Sequence, residues 1–181
     1  MIRYFKKAIP LSIIATGIMA SASFADTFTL RVGSGHPSKP TAYVTNMEKV
    51  LVPNIKKRVA AETNHKVRII EAYAGKIAKV HETLEAVEKG LLDIGSYCVC
   101  FETAKLLPWN FDYFVPFTTT NLETNWAVKH KILKQFPYLT KMLEDKYNQK
   151  FIAMQGFDDY GLGTVKQWQK ASELKGCLLY T

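Results

Sequence analysis

The sequence predicts an α/β chain in which parallel strands alternate with covering helices, and three observations carry that prediction. Short apolar runs suited to strands occur at 28–33, 67–73 and 91–95. Between them lie two stretches whose apolar residues recur every three or four positions, the spacing of one helix face. Glycine and proline mark the joints, as turns and helix ends require. Strand, helix, strand, helix, strand is the order of a right-handed doubly wound sheet.

The elements follow in order. Phe28-Thr29-Leu30-Arg31-Val32-Gly33 alternates apolar and polar residues and reads as the first strand. Ser34 to Ser38 is a flexible turn, after which Pro40 suits a helix start. Tyr43, Val44, Met47, Leu51, Ile55 and Val59 form a long apolar stripe, with Pro53 inside it expected to kink or split the helix. Val67 to Tyr73 is the second strand, after a turn at Asn64-His65. Val80, Leu84, Val87 and Leu91 share a face of the next helix, and Gly90 stands where a left-handed cap is needed. Leu91-Leu92-Asp93-Ile94-Gly95 turns directly into the third strand.

Residues 82–116 hold most of the functional information, because ligands in such folds bind beyond the C-terminal ends of the strands. Ser96, Tyr97 and Cys98 occupy that position. The aromatic loop carrying Trp109, Phe111, Tyr113, Phe114 and Phe117 reads as buried packing held by Pro108 and Pro116, rather than as a carbohydrate-stacking platform. Residues 121–147 are helical, with a break at Pro137. Phe151-Ile152-Ala153-Met154-Gln155 reads as a fourth strand, and a turn-rich segment from Gly156 to Gly161 follows.

The chain has 181 residues, of which 48% are hydrophobic, enough for a real core and too many for disorder. Residues 1–25 read as a cleavable signal peptide: basic Arg3, Lys6 and Lys7, an apolar run, then Ser23-Phe24-Ala25 before the cut. The run is too short to span a membrane comfortably. Cleavage lowers the net charge from +8 to +5. Lys56-Lys57-Arg58 reads as a solvated helix face, not a nucleic-acid footprint, since no recognition motif accompanies it. Cys98 and Cys100 are expected as buried free thiols, because a bridge between such close neighbours on a strand is strained and two cysteines do not complete a zinc set. No cofactor is expected.

The ordered motifs resemble a known family. Leu30-Arg31-Val32-Gly33, then Val67-Arg68-Ile69-Ile70-Glu71-Ala72-Tyr73-Ala74-Gly75, then Gly90-Leu91-Leu92-Asp93-Ile94 occur in sequence. Leu106-Leu107-Pro108, Val115-Pro116-Phe117 and Ala171-Ser172-Glu173-Leu174-Lys175-Gly176 follow. This looks like the extracytoplasmic solute-binding protein of a tripartite ATP-independent periplasmic (TRAP) transporter, of the dicarboxylate-receptor type. The resemblance spans almost all of residues 26–176. It implies a periplasmic-binding-protein-like two-lobed α/β fold with a small organic acid, a carboxylate, between the lobes. It also implies delivery to sodium-coupled integral-membrane permease subunits, with no reaction catalysed and no nucleic acid bound. Residues 26–155 then form an incomplete first lobe and residues 156–176 the start of the second.

The family's carboxylate-anchoring arginine follows the Leu-Lys-Gly segment, but here Cys177-Leu178-Leu179-Tyr180-Thr181 stands in its place. Those five residues match the translated end of a sequencing adapter, so 177–181 reads as a non-native tail. The expectation is an N-terminal fragment with open sheet edges that does not bind solute alone.

Six residues are the candidates for solute contact. His36 follows the first strand and is able to donate a hydrogen bond to an acid, against a surface-loop role. Tyr73 ends the second strand, where packing is the plainer role. Tyr97 and Cys98 leave the third strand and suit an apolar pocket with a few directing groups. Phe157 and Tyr160 would line the second-lobe wall, and Asp158 and Asp159 suit turn capping. His65, His81 and His130 read as surface residues, and Glu82, Glu85 and Glu88 as an exposed helix face without catalytic purpose. The competing readings are a receptor for an ABC importer or chemosensor, and a secreted α/β enzyme. The enzyme lacks a nucleophile elbow, a zinc-protease motif or a phosphate loop.

Overall fold

The computed structural model describes residues 25–115, 119–156 and 163–176. Its centre is a parallel sheet of three strands in the order β2-β1-β3. Strand β1 (Thr27–Gly33) pairs along its length with β2 (Lys66–Ala72), from Thr27 opposite Lys66 to Gly33 opposite Ala72. On its other side, β3 (Ile94–Gly95) pairs only with Val32 and Gly33. The chain is therefore α/β with parallel strands, as its alternating pattern predicts. The third strand is shorter than expected, because Leu91 to Asp93 form the turn out of the preceding helix.

Arg31 fixes the register of β3. Its backbone N–H and Nε donate to Asp93 Oδ2 at 2.7 and 3.0 Å, and Nη2 donates to Oδ1 at 3.1 Å. The Asp93 N–H returns a bond to the Arg31 carbonyl. This two-pronged contact holds the Asp93 carboxyl below its ordinary pKa, the Arg31 hydrogen bond outweighing the opposing effect of burial.

The first crossover is a helix in three registers: α1 (Ala42–Asn46), a π-helical stretch (Met47–Leu51) and α2 (Val52–Glu62). Pro53 lacks the N–H that the carbonyl four residues earlier would receive, and the wider turn lies just before it. The helix starts at Ala42 rather than Pro40, because the Thr41 carbonyl accepts the first helical bonds from Val44 and Thr45. Val52 and Met47 pack with Val32 against the sheet.

The second crossover is a 3-10 turn (Val80–Glu82) running into α3 (Thr83–Glu88). Gly90 has φ of 67°, the left-handed cap that the sequence anticipates. Leu91 leaves the expected apolar face and is 51% exposed, since the helix has already ended. Leu92 is buried instead, against Ala78 and Ala86.

Beyond β3 come two 3-10 segments (Val99–Glu102 and Leu107–Phe114), then α4 (Leu122–Gln135) and α5 (Tyr138–Tyr147), with Pro137 between them. Asn121 caps α4 by accepting from the Thr124 N–H at 2.8 Å. The main core joins these elements to α3 through Leu84, Leu106, Trp109, Leu133, Leu139 and Leu143. The Trp109 indole N–H donates to the Leu139 carbonyl at 3.1 Å, satisfying its polar edge inside that core. The aromatic loop is only partly buried: Trp109 is core, whereas Tyr113 and Phe114 are exposed, and Phe117 lies outside the described residues.

The expected fourth strand does not form. Residues 151–155 are irregular and join no ladder in the described sheet. A strand needs a partner for its backbone groups, and this segment borders an open cleft rather than β3. Among the described residues, no helix is long and apolar enough to cross a membrane.

Candidate functional site

The exits of β1 and β3 set the site. After β1 the chain passes through Ser34, Gly35 and His36 in close contact with the second crossover. A Cβ on Gly35 would lie 2.3 Å from the Val80 backbone nitrogen, so only glycine allows that approach. The Gly35 N–H donates to Thr83 Oγ1 at 3.2 Å, and the Ala74 N–H donates to the His36 carbonyl at 3.0 Å. These bonds hold His36 against α1, where its Nδ1 lies 2.6 Å from the Tyr43 hydroxyl.

The His36 ring also packs on Phe101, with centroids 5.2 Å apart, and His81 meets the same phenyl ring at 5.3 Å. Burial first, and repulsion from His81 second, push the His36 pKa below its ordinary value. Burial raises the Tyr43 hydroxyl, and contacts with the Cys98 backbone and Ser34 partly oppose the rise. His36 is thus a half-buried, hydrogen-bonded residue rather than a free surface histidine. His81 remains exposed, as expected, with Nδ1 3.2 Å from the Phe101 carbonyl.

Beside this cluster an open cleft of about 1660 Å³ lies past the C-terminal end of β3. One wall is the helical face of Tyr43, Asn46, Met47 and Val50. A second comprises Ser96, Tyr97 and Cys98. Trp109, Asp112 and Tyr113 form the next, and Leu122, Trp126 and residues 148–156 complete it. The exposed lining surface is mostly apolar and aromatic, the carboxylates Asp93, Asp112 and Glu123 and the lysines Lys129 and Lys150 also belong to it, and its volume exceeds the ~300–1,000 Å³ usual for a small-molecule site.

The polar groups are held in place from behind. The Tyr97 hydroxyl donates to Gln149 Oε1 at 3.1 Å, and Gln149 Nε2 donates to the Leu84 carbonyl at 2.8 Å. Burial drives the Tyr97 pKa upward, so the phenol stays neutral. Across the cleft wall, Lys129 is 4% exposed and forms an ion pair with Asp112. That pairing is what permits a lysine at a buried position. Asn46 Nδ2 donates to Gln155 Oε1 at 2.8 Å and ties the helix to the opposite side.

Of the six predicted contact residues, Tyr97 and Cys98 line the cleft. His36 stands behind Tyr43 and reaches the cleft only through that hydroxyl. Tyr73 is elsewhere: it packs on the β1 and helix cluster and donates to Glu71 Oε2 at 3.0 Å. Phe157 and Tyr160 lie outside the described residues, as do Asp158 and Asp159. The sequence places Tyr43 on the apolar stripe of the first long helix and gives no reason to single out Trp126. Their placement in the cleft wall depends on tertiary contacts that apolar spacing does not encode.

The cysteine expectation is corrected. Cys98 and Cys100 are joined by a disulfide, with their Cα atoms 5.2 Å apart. Cys98 is itself extended, but the 3-10 segment Val99–Glu102 begins directly after it and brings the two residues within ordinary bridging distance. Glu85 is likewise not a solvated carboxylate, since it and Glu102 both pair with Lys105. Among the described residues, no group of three or more His, Cys, Asp or Glu side chains is placed to hold a metal ion.

No protein-family model, curated protein or solved structure matches this chain.

Proposed function

We propose that residues 26–155 of this chain belong to the first lobe of an exported solute receptor that holds a small organic acid, a carboxylate, against the cleft beyond β3. The single observation carrying the proposal is the position of that cleft at the C-terminal end of a parallel strand, with Tyr97 and Cys98 in its wall. The Ser96 hydroxyl and the Lys150 ammonium group are the groups on this wall suited to an acid, since the hydroxyls of Tyr43 and Tyr97 and the Lys129 ammonium already have the partners His36, Gln149 and Asp112.

The motif resemblance extends the reading to a two-lobed fold, export to the periplasm, and delivery to sodium-coupled TRAP permease subunits rather than to an ATP-driven importer. In this scheme the chain is a carrier and not an enzyme. A second lobe closes because the solute touches both walls only in the closed state, so its differential affinity shifts the equilibrium.

The test is a thermal-shift screen of the complete product of the locus against mono- and dicarboxylates, with amines and neutral analogues as controls. A ligand at a hundredfold excess over its Kd adds about 2.7 kcal/mol, a rise of roughly 5–10 °C for a chain of this size. A cooperatively folded product that no carboxylate stabilises would overturn the proposal. Neighbouring genes for an ATPase, with none for sodium-coupled permease subunits, would overturn the transporter assignment alone.

A further inference from the structure

We propose that the Cys98–Cys100 disulfide is a thiol–disulfide exchange site, attacked at Cys100 and releasing Cys98 as the thiolate. Three observations place the roles, and none depends on which solute the cleft takes. First, access is one-sided: Cys98 is buried in the cleft wall, whereas Cys100 is partly exposed. An incoming thiolate therefore reaches the Cys100 sulfur first. Second, the Cys100 backbone N–H donates to Cys98 Sγ at 3.3 Å. Third, the Tyr113 hydroxyl lies 3.9 Å from the same sulfur, within reach of a sulfur hydrogen bond.

Donors aimed at a sulfur favour its anionic form and lower the thiol pKa. Exchange is faster when the departing sulfur has the lower pKa. Both donors face Cys98 and offset the cost of placing charge at a buried sulfur, which polarises bond cleavage toward Cys98 as the leaving group.

The co-reactant is a dithiol. One of its thiolates bonds to Cys100 Sγ as the Cys98–Cys100 bond breaks, and that electron pair goes to Cys98 Sγ. The second reagent thiolate then attacks the reagent's own sulfur in the mixed disulfide and expels Cys100 as a thiolate. The dithiol departs as a cyclic disulfide, having lost two electrons and two protons. The two electrons reduce the protein disulfide, and the two protons are available to the protein thiolates. With Cys98 ionised, the reduced state places a negative charge in the cleft wall next to Tyr97, which the oxidised state lacks.

The experiment uses the full chain in its oxidised form and glutathione, a monothiol that stops at the mixed disulfide. After a brief reaction, free thiols are capped with iodoacetamide and the tryptic peptide 90–105, bounded by Lys89 and Lys105, is sequenced by mass spectrometry. Cys177 falls in a different peptide. The expected result is glutathione on Cys100 and the cap on Cys98, exceeding the reverse pattern by about fivefold or more. Tyr113→Phe is expected to narrow that ratio and, in reduced protein, to move the alkylation pH profile of Cys98 to higher pH. Equal or reversed adducts would overturn the proposal, as would a ratio and a profile both unchanged in Tyr113→Phe. Two alkylatable thiols before any reductant, or a bridge that survives excess dithiothreitol in the folded chain, would overturn it as well.

Discussion

Replacing Leu84 by alanine tests whether the core is centred where α3 meets α4 and α5. Leu84 is fully buried among Leu106, Trp109, Leu133, Leu139 and Leu143. The substitution removes about three methylene equivalents, worth roughly 2.4 kcal/mol of transfer free energy at ~0.8 kcal/mol each. The cavity left behind raises the total to about 3–4 kcal/mol. Leu91→Ala is the matched control, because apolar spacing assigns both leucines to one face while the structure leaves Leu91 51% exposed. With half of the side chain already in water and no cavity formed, its loss is about 1 kcal/mol or less. Urea unfolding followed by circular dichroism reads the difference directly, and thermal midpoints are expected to separate by roughly 5–10 °C. Equal losses from the two substitutions would refute the assignment of Leu84 to the core and of Leu91 to the turn.

Gln149→Leu leaves both the Tyr97 hydroxyl and the Leu84 carbonyl without their partner, at a cost of about 2–3 kcal/mol. Combined with Tyr97→Phe in a double-mutant cycle, the losses are expected to be less than additive; strict additivity would mean that the bond contributes nothing. Gly35→Ala forces a methyl into the Val80 backbone and is expected to cost more than about 2 kcal/mol, read by chemical denaturation; a change within ~0.5 kcal/mol would sink the close-approach argument. His36 has a folded-state pKa below its ordinary value of 6.5, from burial and then His81. Between those two values the unfolded chain binds more protons, so this contribution is complete above pH ~6.5 and is lost as pH falls through the folded value. His36→Gln is expected to flatten the urea midpoint across that window, and an unaltered slope would contradict it.

The parts of the fold governed by local chemistry were legible in the sequence. Alternation located β1 and β2, the left-handed requirement at Gly90 located the end of α3, and Pro137 marked the break between α4 and α5. What escaped depends on partners distant in the chain. Residues 151–155 carry strand chemistry but border the cleft instead of a pairing strand. Nothing in the sequence marks Lys129 as buried, and Asp112, brought close by the 3-10 segment Leu107–Phe114, helps to make its burial tolerable. The Cys98–Cys100 bridge was rejected on strand geometry, which ceases to apply once the chain turns after Cys98. At the site, strand-end reasoning found Tyr97 and Cys98 but not Tyr43 or Trp126, whose roles are set by packing between elements.

The π-helical stretch Met47–Leu51 acts as a phase shift along one continuous helix. The extra residue in its turn separates the buried positions Met47 and Val52 by five instead of the usual three or four. Val52 thereby packs on β1 while Tyr43, Asn46 and Val50 remain turned to the cleft. One helix thus serves two surfaces, with Met47 and Leu51 belonging to both. Deleting a single residue from this stretch would rotate the downstream half by roughly 100° relative to the upstream half. Sheet packing and cleft shape are therefore joined through the helix's winding, so that one cannot be re-registered while the other stays in place.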